Sequence, residues 1–219
     1  MSVPTLVIAN KRYSSWSLRP WLVATHFGIA FDEVGVLLDK PDTKATILRW
    51  SPSGRVPCLI DGDVRVWETL AIIEWLAERH PEHAVWPRDP AARAHARAIS
   101  SEMHAGFTGL RSACPMNLGR RFSWAPRGGA AAAVDVARIV ELWRDARARF
   151  GAAGPFLYGA FSAADAMYAP VVTRLDTYAW PLDPDIRAYV DAVLTLPAFL
   201  AWKAAADLET EVVPSDEVD

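Results

Sequence analysis

The sequence predicts an α/β unit over residues 1–81 followed by an all-helical unit over residues 92–219. Three observations carry this. Apolar runs in the first eighty residues switch between strand-like and helix-like in the order β-α-β-α-β-β-α. A segment with three prolines, "PEHAVWPRDPAA" (81–92), then interrupts regular structure. Beyond it every apolar periodicity is helical, and alanine, the strongest helix former, concentrates there. At 219 residues the chain is long enough to bury a substantial core in either unit.

The elements follow in order. "TLVIAN" (5–10) is a short, continuous, partly β-branched run and reads as a buried strand. "SLRPWLVATHFG" (17–28) has helical spacing at Leu18, Trp21, Leu22 and Thr25, with Pro20 tolerable in the first turn and Gly28 suited to the end. "FDEVGVLL" (31–38) reads as a second strand, and "DTKATILRW" (42–50) as a short helix that Asp42 would cap. "CLIDGDVRVW" (58–67) places two apolar runs around Asp61-Gly62, a hairpin signal. "ETLAIIEWLAERH" (68–80) is an amphipathic helix stopped by Pro81. The first three strands alternate with helices, which predicts parallel crossovers, with the last strand added antiparallel. That is a thioredoxin-like arrangement.

In the second half, Ile99, Met103, Phe107, Leu110 and Cys114 recur at helical spacing and predict one long helix with an apolar face. Further helices are expected at 132–150 and 161–178, then over "DPDIRAYVDAVLTL" and "PAFLAWKAAADL". The acidic tail "ETEVVPSDEVD" is expected to fray.

Composition excludes several function classes. The net charge is −3 and no basic stripe is interleaved with aromatics, so no nucleic-acid partner is expected. The longest apolar stretches fall short of a bilayer span, and no membrane partner is expected. "MSVPTLVIAN" lacks the basic and long apolar regions of a signal peptide. Cys58 and Cys114 form no CxxC pair, which fits a reducing cytoplasm, and each reads as a small buried apolar residue. His80 and His83 flank a proline with no third ligand near in sequence, so no metal is expected.

Four short segments hold residues suited to chemistry. After the first strand, where a thioredoxin-like unit would carry CxxC, stand Ser14-Ser15-Trp16-Ser17. Without a thiol, disulfide exchange is excluded there. A hydroxyl at a helix N-terminus can still donate to an anion such as a thiolate, helped by orphan N–H groups and the helix dipole. The plain alternative is a helix cap. In "SGRVPCLI", Pro57 precedes a strand; if the Val56–Pro57 bond is cis, Val56 presents its backbone to an extended peptide. In "WETLAIIEWL", Glu68 can meet an ammonium and Thr69 a carboxylate, which suits the amino-acid end of a peptide. Acidic residues are also simply common in a first turn. In "FSAADAMYAP", Ser162 and Asp165 form a capping box with aspartate for glutamate, a structural feature.

Together these segments resemble the cytosolic glutathione S-transferase family over nearly the whole chain. "SSWSLR" is similar to the serine motif of the zeta-like and tau-like classes, in which a serine lies five residues before an arginine, as Ser14 does before Arg19. "RVPCLI" resembles the family's cis-proline segment, "ETLAIIEWL" its glutathione-binding helix and "SAADAMYAP" its C-terminal capping box. "EMHAGF" and "DAMYAPVVTR" resemble a mainly bacterial subgroup.

The resemblance implies a glutathione transferase, a cytoplasmic homodimer active in detoxification. Glutathione is its co-substrate, and its partner substrate is a small apolar electrophile or organic peroxide. By the same resemblance Ser14 donates to the glutathione sulfur, with Ser15 as second candidate, and Val56 pairs with the cysteinyl backbone. Glu68 and Thr69 hold the γ-glutamyl group, and Arg55 and Lys40 the glycyl carboxylate. Trp16, Met103, Phe107 and Arg111 line the electrophile pocket, although the 99–114 stripe can equally be core. Two positions depart from zeta enzymes: Trp16 stands where they carry a cysteine, and Arg174 lies about one turn nearer the helix start than their substrate-binding arginine. The alternatives are a glutathione-dependent cis-trans isomerase of maleylacetoacetate type and a non-catalytic scaffold.

Overall fold

A computed structural model describes residues 3–218. Strand β1 (Thr5–Ala9) leads into helix α1 (Ser15–His26), followed by β2 (Asp32–Val36), α2 (Thr43–Leu48), β3 (Cys58–Asp61), β4 (Val64–Trp67) and α3 (Thr69–Arg79). The sheet order is β2-β1-β3-β4. β1 and β2 are parallel, with Val7 opposite Val34. β3, however, runs antiparallel to β1, as β4 does to β3, so the expected third parallel strand is corrected. The physical reason is that α2 has only six residues, about 9 Å of rise. It does not carry the chain back along the sheet, and β3 enters from the end where β2 left. Asp42 precedes α2 but makes no capping bond to its backbone.

Strand alternation sorts the core. Leu6, Ile8 and Leu59 face α1 and α3 in the main apolar cluster, whereas Val7, Val36 and Cys58 meet Ile47 of α2 on the other face. The main cluster continues from α1 into the helices α4 (Pro90–Ala105), α5 (Thr108–Ala113), α6 (Gly129–Phe150), α7 (Ala163–Thr177), α8 (Pro184–Leu194) and α9 (Pro197–Asp207). α7 is its axis: every residue except Asp176 is buried. A helix buried on all sides belongs in the centre of a bundle, and its polar side chains Asp165, Thr173 and Arg174 are hydrogen-bonded there. Its start is fixed by Ser162, whose N–H and hydroxyl both donate to Asp165 Oδ2, at 2.9 and 3.0 Å, as the capping box predicts.

The single helix expected over 99–114 is two. α4 ends at Gly106, and Phe107 takes φ 57° before α5 begins. A Cβ on Gly106 would sit 2.9 Å from the Glu102 carbonyl, so a glycine is needed at this break. Gly109, one residue into α5, packs against α6 so closely that a Cβ would lie 2.7 Å from the Ala131 carbonyl carbon. Gly109→Ala is therefore expected to separate α5 from α6 and cost about 1–3 kcal/mol, read as a lowered urea midpoint. An unchanged midpoint would show that this contact yields freely.

The tail is not frayed. Val213 is buried, and Glu217 accepts from the Tyr13 hydroxyl at 2.7 Å, Asn117 Nδ2 at 2.9 Å and Arg120 Nε at 2.9 Å. Its acidic residues find donors on the first loop and on the helical unit, which composition alone does not reveal.

Candidate functional site

The site grows from the turn between β1 and α1. The Asn10 carbonyl accepts from both Tyr13 N and Ser14 N, which ends the strand and aims the next residues at the helix. Ser14 is the N-cap of α1. Its hydroxyl donates to Ser17 Oγ at 2.8 Å and accepts a long bond from Ser17 N at 3.4 Å. Ser17 Oγ in turn accepts from Ala9 N at 3.1 Å, tying the first helical turn to the strand end. The Ser15 hydroxyl, by contrast, makes no hydrogen bond to the described residues. Sequence spacing puts the helix start at Ser17; the cap places it at Ser15 and leaves both serines at its mouth.

Two adjoining cavities open there. The larger, about 830 Å³, is bordered by Tyr13, Ser14, Ser15, Arg174 and Asp216. The smaller, about 310 Å³, is bordered by Pro57, Glu68, Thr69 and His104. Trp16, Ser53, Arg55, Val56 and Arg111 border both. The Val56–Pro57 bond is cis. Glu68, at φ 69°, immediately precedes α3, and its carboxylate lies 3.6 Å from His104 Nε2. Thr69 Oγ1 donates to the Trp16 carbonyl at 3.0 Å, joining the start of α3 to that of α1.

Positive charge gathers at the junction. Arg19 is fully buried, donating to the carbonyls of Met167 (2.9 Å) and Ser15 (2.8 Å) with its guanidinium 4.2 Å from the Trp16 ring centre. Arg174 donates to the carbonyls of Cys114 and Pro170, at 2.8 and 3.0 Å. Among the described residues neither has a carboxylate within ion-pair distance, and the same is true of Arg111. Burial, reinforced by neighbouring arginines, lowers Arg19 well below the usual arginine range. Burial, then Arg111, brings Arg174 down to about 10, and burial lowers Arg111 as well.

Most sequence-predicted site residues converge on the two cavities; three do not. Met103 is fully buried and Phe107 nearly so, both in the main core. Their apolar face packs inward, so the pocket role expected for them is corrected. Lys40 lines neither cavity: its ammonium pairs with Glu211, and Lys44 borders the larger cavity instead. Cys58 and Cys114 are buried free thiols, Cys114 pushed up to about 11 by burial. The turn after α3 brings Glu82 between His80 and His83, so a third ligand atom does lie within 4.8 Å; these residues line neither cavity. Sequence reasoning missed Tyr13, Ser53, His104 and Asp216. His104 sits in the "EMHAGF" motif one residue before the α4 terminus, and the break at Gly106–Phe107 was the missing signal.

A mixed sheet carrying a serine-capped helix and a cis-proline loop, opposed by a helical bundle across a cationic cleft, defines a thioredoxin-like, glutathione-transferase type of protein. Comparison places the chain further. Residues 13–79 match the N-terminal domain model of glutathione S-transferase, and residues 128–202 its C-terminal domain model. The chain belongs to the cytosolic glutathione S-transferase family. It is 36% identical over 110 residues to a probable maleylacetoacetate isomerase of Caenorhabditis elegans, covering 50% of each chain. It is 34% identical over 95 residues to glutathione S-transferase Z1 of Arabidopsis thaliana, covering 41% of each. The matches thus span half or less of these curated relatives. Among solved structures, a glutathione transferase homolog from Burkholderia with bound glutathione superposes with a TM-score of 0.72 at 22% identity, over 95% of this chain and all of that one. A Tau class enzyme from mango superposes at 0.70 with 17% identity, over 94% of this chain and 96% of the other. These last two likenesses concern the fold. No helix among the described residues is long and apolar enough to cross a membrane.

Proposed function

We propose that the chain is a glutathione-dependent enzyme that binds the peptide in the smaller cavity and presents its sulfur to a second substrate in the larger one. The carrying observation is the shared boundary of the two cavities at the first turn of α1. Glu68 meets the γ-glutamyl ammonium, and the backbone N–H of Thr69 at the α3 N-terminus its carboxylate, the Thr69 hydroxyl being held by the Trp16 carbonyl. Val56 lies beside the cysteinyl backbone, and Arg55 meets the glycyl carboxylate. The thiol then faces Ser14 and Ser15, where a hydroxyl donor favours the thiolate. The thiolate attacks an electrophilic carbon of the second substrate and forms a C–S bond. A leaving group departs with its electron pair or, at a conjugated double bond, the π pair moves onto the substrate and is protonated from water. Family membership is what supports a homodimer working in the cytoplasm, and a detoxifying role.

A second reading, glutathione-dependent isomerisation, is favoured by Arg174. A buried guanidinium with no carboxylate at ion-pair distance and its Nη2 unbonded among the described residues matches a substrate that brings a carboxylate of its own. This reading replaces the wholly apolar electrophile by one with an anionic end, and it accords with the relatives named maleylacetoacetate isomerase. Transfer and isomerisation share the glutathione step, which separates both from a scaffold. Saturating glutathione is expected to raise the melting temperature; at a hundred times Kd the gain is about 2.7 kcal/mol. A melting curve that ignores glutathione would leave the scaffold.

A further inference from the structure

Any reaction between glutathione sulfur and a second substrate must occur where the two cavities meet. Of the five residues that border both, only Arg55 and Arg111 carry charge. Arg55 is exposed, whereas Arg111 is half-buried. Arg111 donates one hydrogen bond, from Nη1 to the Gly106 carbonyl at 3.2 Å, and its Nε and Nη2 have no partner among the described residues. Its guanidinium lies 5.0 Å from the ring centre of Trp16, the residue that follows Ser15 on α1. The break at Gly106–Phe107 redirects the chain so that α5 carries Arg111 to this junction. The result is a partly desolvated cation at the boundary, with no carboxylate at ion-pair distance among the described residues.

Such a charge acts strongly on an anion beside it, because little water intervenes. The serines alone offer less. Ser14 already spends its proton on Ser17 Oγ, and Ser15 is a neutral donor. We propose that Arg111 is a catalytic residue, its guanidinium holding the thiolate of bound glutathione at the junction together with the Ser15 hydroxyl. The proposal rests on the glutathione-dependent reading above. When glutathione binds, its S–H bond ionises, the proton leaves to water and the electron pair stays on sulfur beside Arg111. Trp16 limits where the guanidinium can move, and Arg19 behind it adds to the positive field without reaching the sulfur, its guanidinium being held by two carbonyls.

The test is a titration of the thiolate absorbance of bound glutathione in wild type, Arg111→Gln and Arg111→Lys, with Kd for S-methylglutathione measured alongside. In wild type the bound thiol is expected to ionise below the ordinary thiol range. In Arg111→Gln its pKa should rise by about one, which is tenfold less thiolate at neutral pH, with Kd for S-methylglutathione within about twofold. Arg111→Lys should restore part of the depression, and it keeps the test open if the glutamine variant folds poorly. A thiol pKa in Arg111→Gln equal to wild type overturns the proposal. So does a tenfold loss of S-methylglutathione affinity at unchanged pKa, which would make Arg111 a ligand for a glutathione carboxylate. Failure of wild type to bind either peptide overturns the glutathione reading itself.

Discussion

Asp165→Ala is expected to cost about 3–5 kcal/mol of stability, a large part of what a typical domain possesses. The Asp165 carboxylate is fully buried and accepts from four donors: Leu157 N at 3.0 Å, Ser162 N at 2.9 Å, Ser162 Oγ at 3.0 Å and Tyr189 OH at 3.2 Å. Alanine strands these donors at the start of α7, the axis of the core. A urea midpoint lowered at unchanged slope is the expected reading, and a shift below 1 kcal/mol would show that the donors find other acceptors.

Burial also sets the sign of a pH effect. It raises the Asp165 carboxyl to about 6 despite those four bonds. The folded state therefore keeps its proton to higher pH than the unfolded chain, where the group titrates near 4. The stability contributed by this group is fully present below about pH 4 and is lost as pH rises towards 6. Asp165→Asn removes the titration, so wild-type stability relative to that variant should fall across pH 4–6. Parallel profiles would contradict this assignment.

Ser14→Ala and Ser15→Ala are expected to part company, and the contrast assigns the hydroxyl that faces sulfur. Ser14 is both N-cap and partner of Ser17, so its loss should lower stability by about 1 kcal/mol, whatever its chemistry. Ser15 has no side-chain bond to lose and its substitution should leave stability within about 0.5 kcal/mol. A hydroxyl that holds the thiolate should also be worth at least tenfold in kcat/KM, about 1.4 kcal/mol. The expected result is that loss for Ser15→Ala, whose hydroxyl is free at the mouth of the cavity, with Ser14→Ala losing stability but little activity because its proton is committed to Ser17 Oγ. If instead Ser14→Ala loses tenfold in activity while Ser15→Ala keeps it, the Ser14 hydroxyl turns from Ser17 to the sulfur and carries the contact.

The local parts of the fold were legible because their signals are local. "FSAADAMY" encodes a capping box whose partners are three residues apart, and Asp61-Gly62 encodes a tight hairpin. The cis-proline segment and the Glu68-Thr69 corner were placed by resemblance, and the fold sets them at one cavity. What escaped the sequence depended on distant neighbours. Whether Met103 and Phe107 face a pocket or the core is decided by the turn at Gly106, which periodicity across 99–114 conceals. The resemblance gives Lys40 a ligand carboxylate, but Glu211, far along the chain, is its partner. The antiparallel entry of β3 likewise follows from the short reach of α2, not from any feature of the strand itself.

The carboxylates of the tail hold the residues that introduce α1. Glu209 accepts from Lys11 N at 2.6 Å and from Arg12 N at 2.9 Å, and Glu217 takes the hydroxyl of Tyr13. These partners lie 197 to 204 residues further along the chain. The sheet is closed by residues within the first 67 positions, whereas the backbone N–H groups of Lys11 and Arg12 are met by Glu209, beyond α9. The strands can therefore pair before the loop beside the serines is fully held, and a segment remote in sequence gives that loop its final shape.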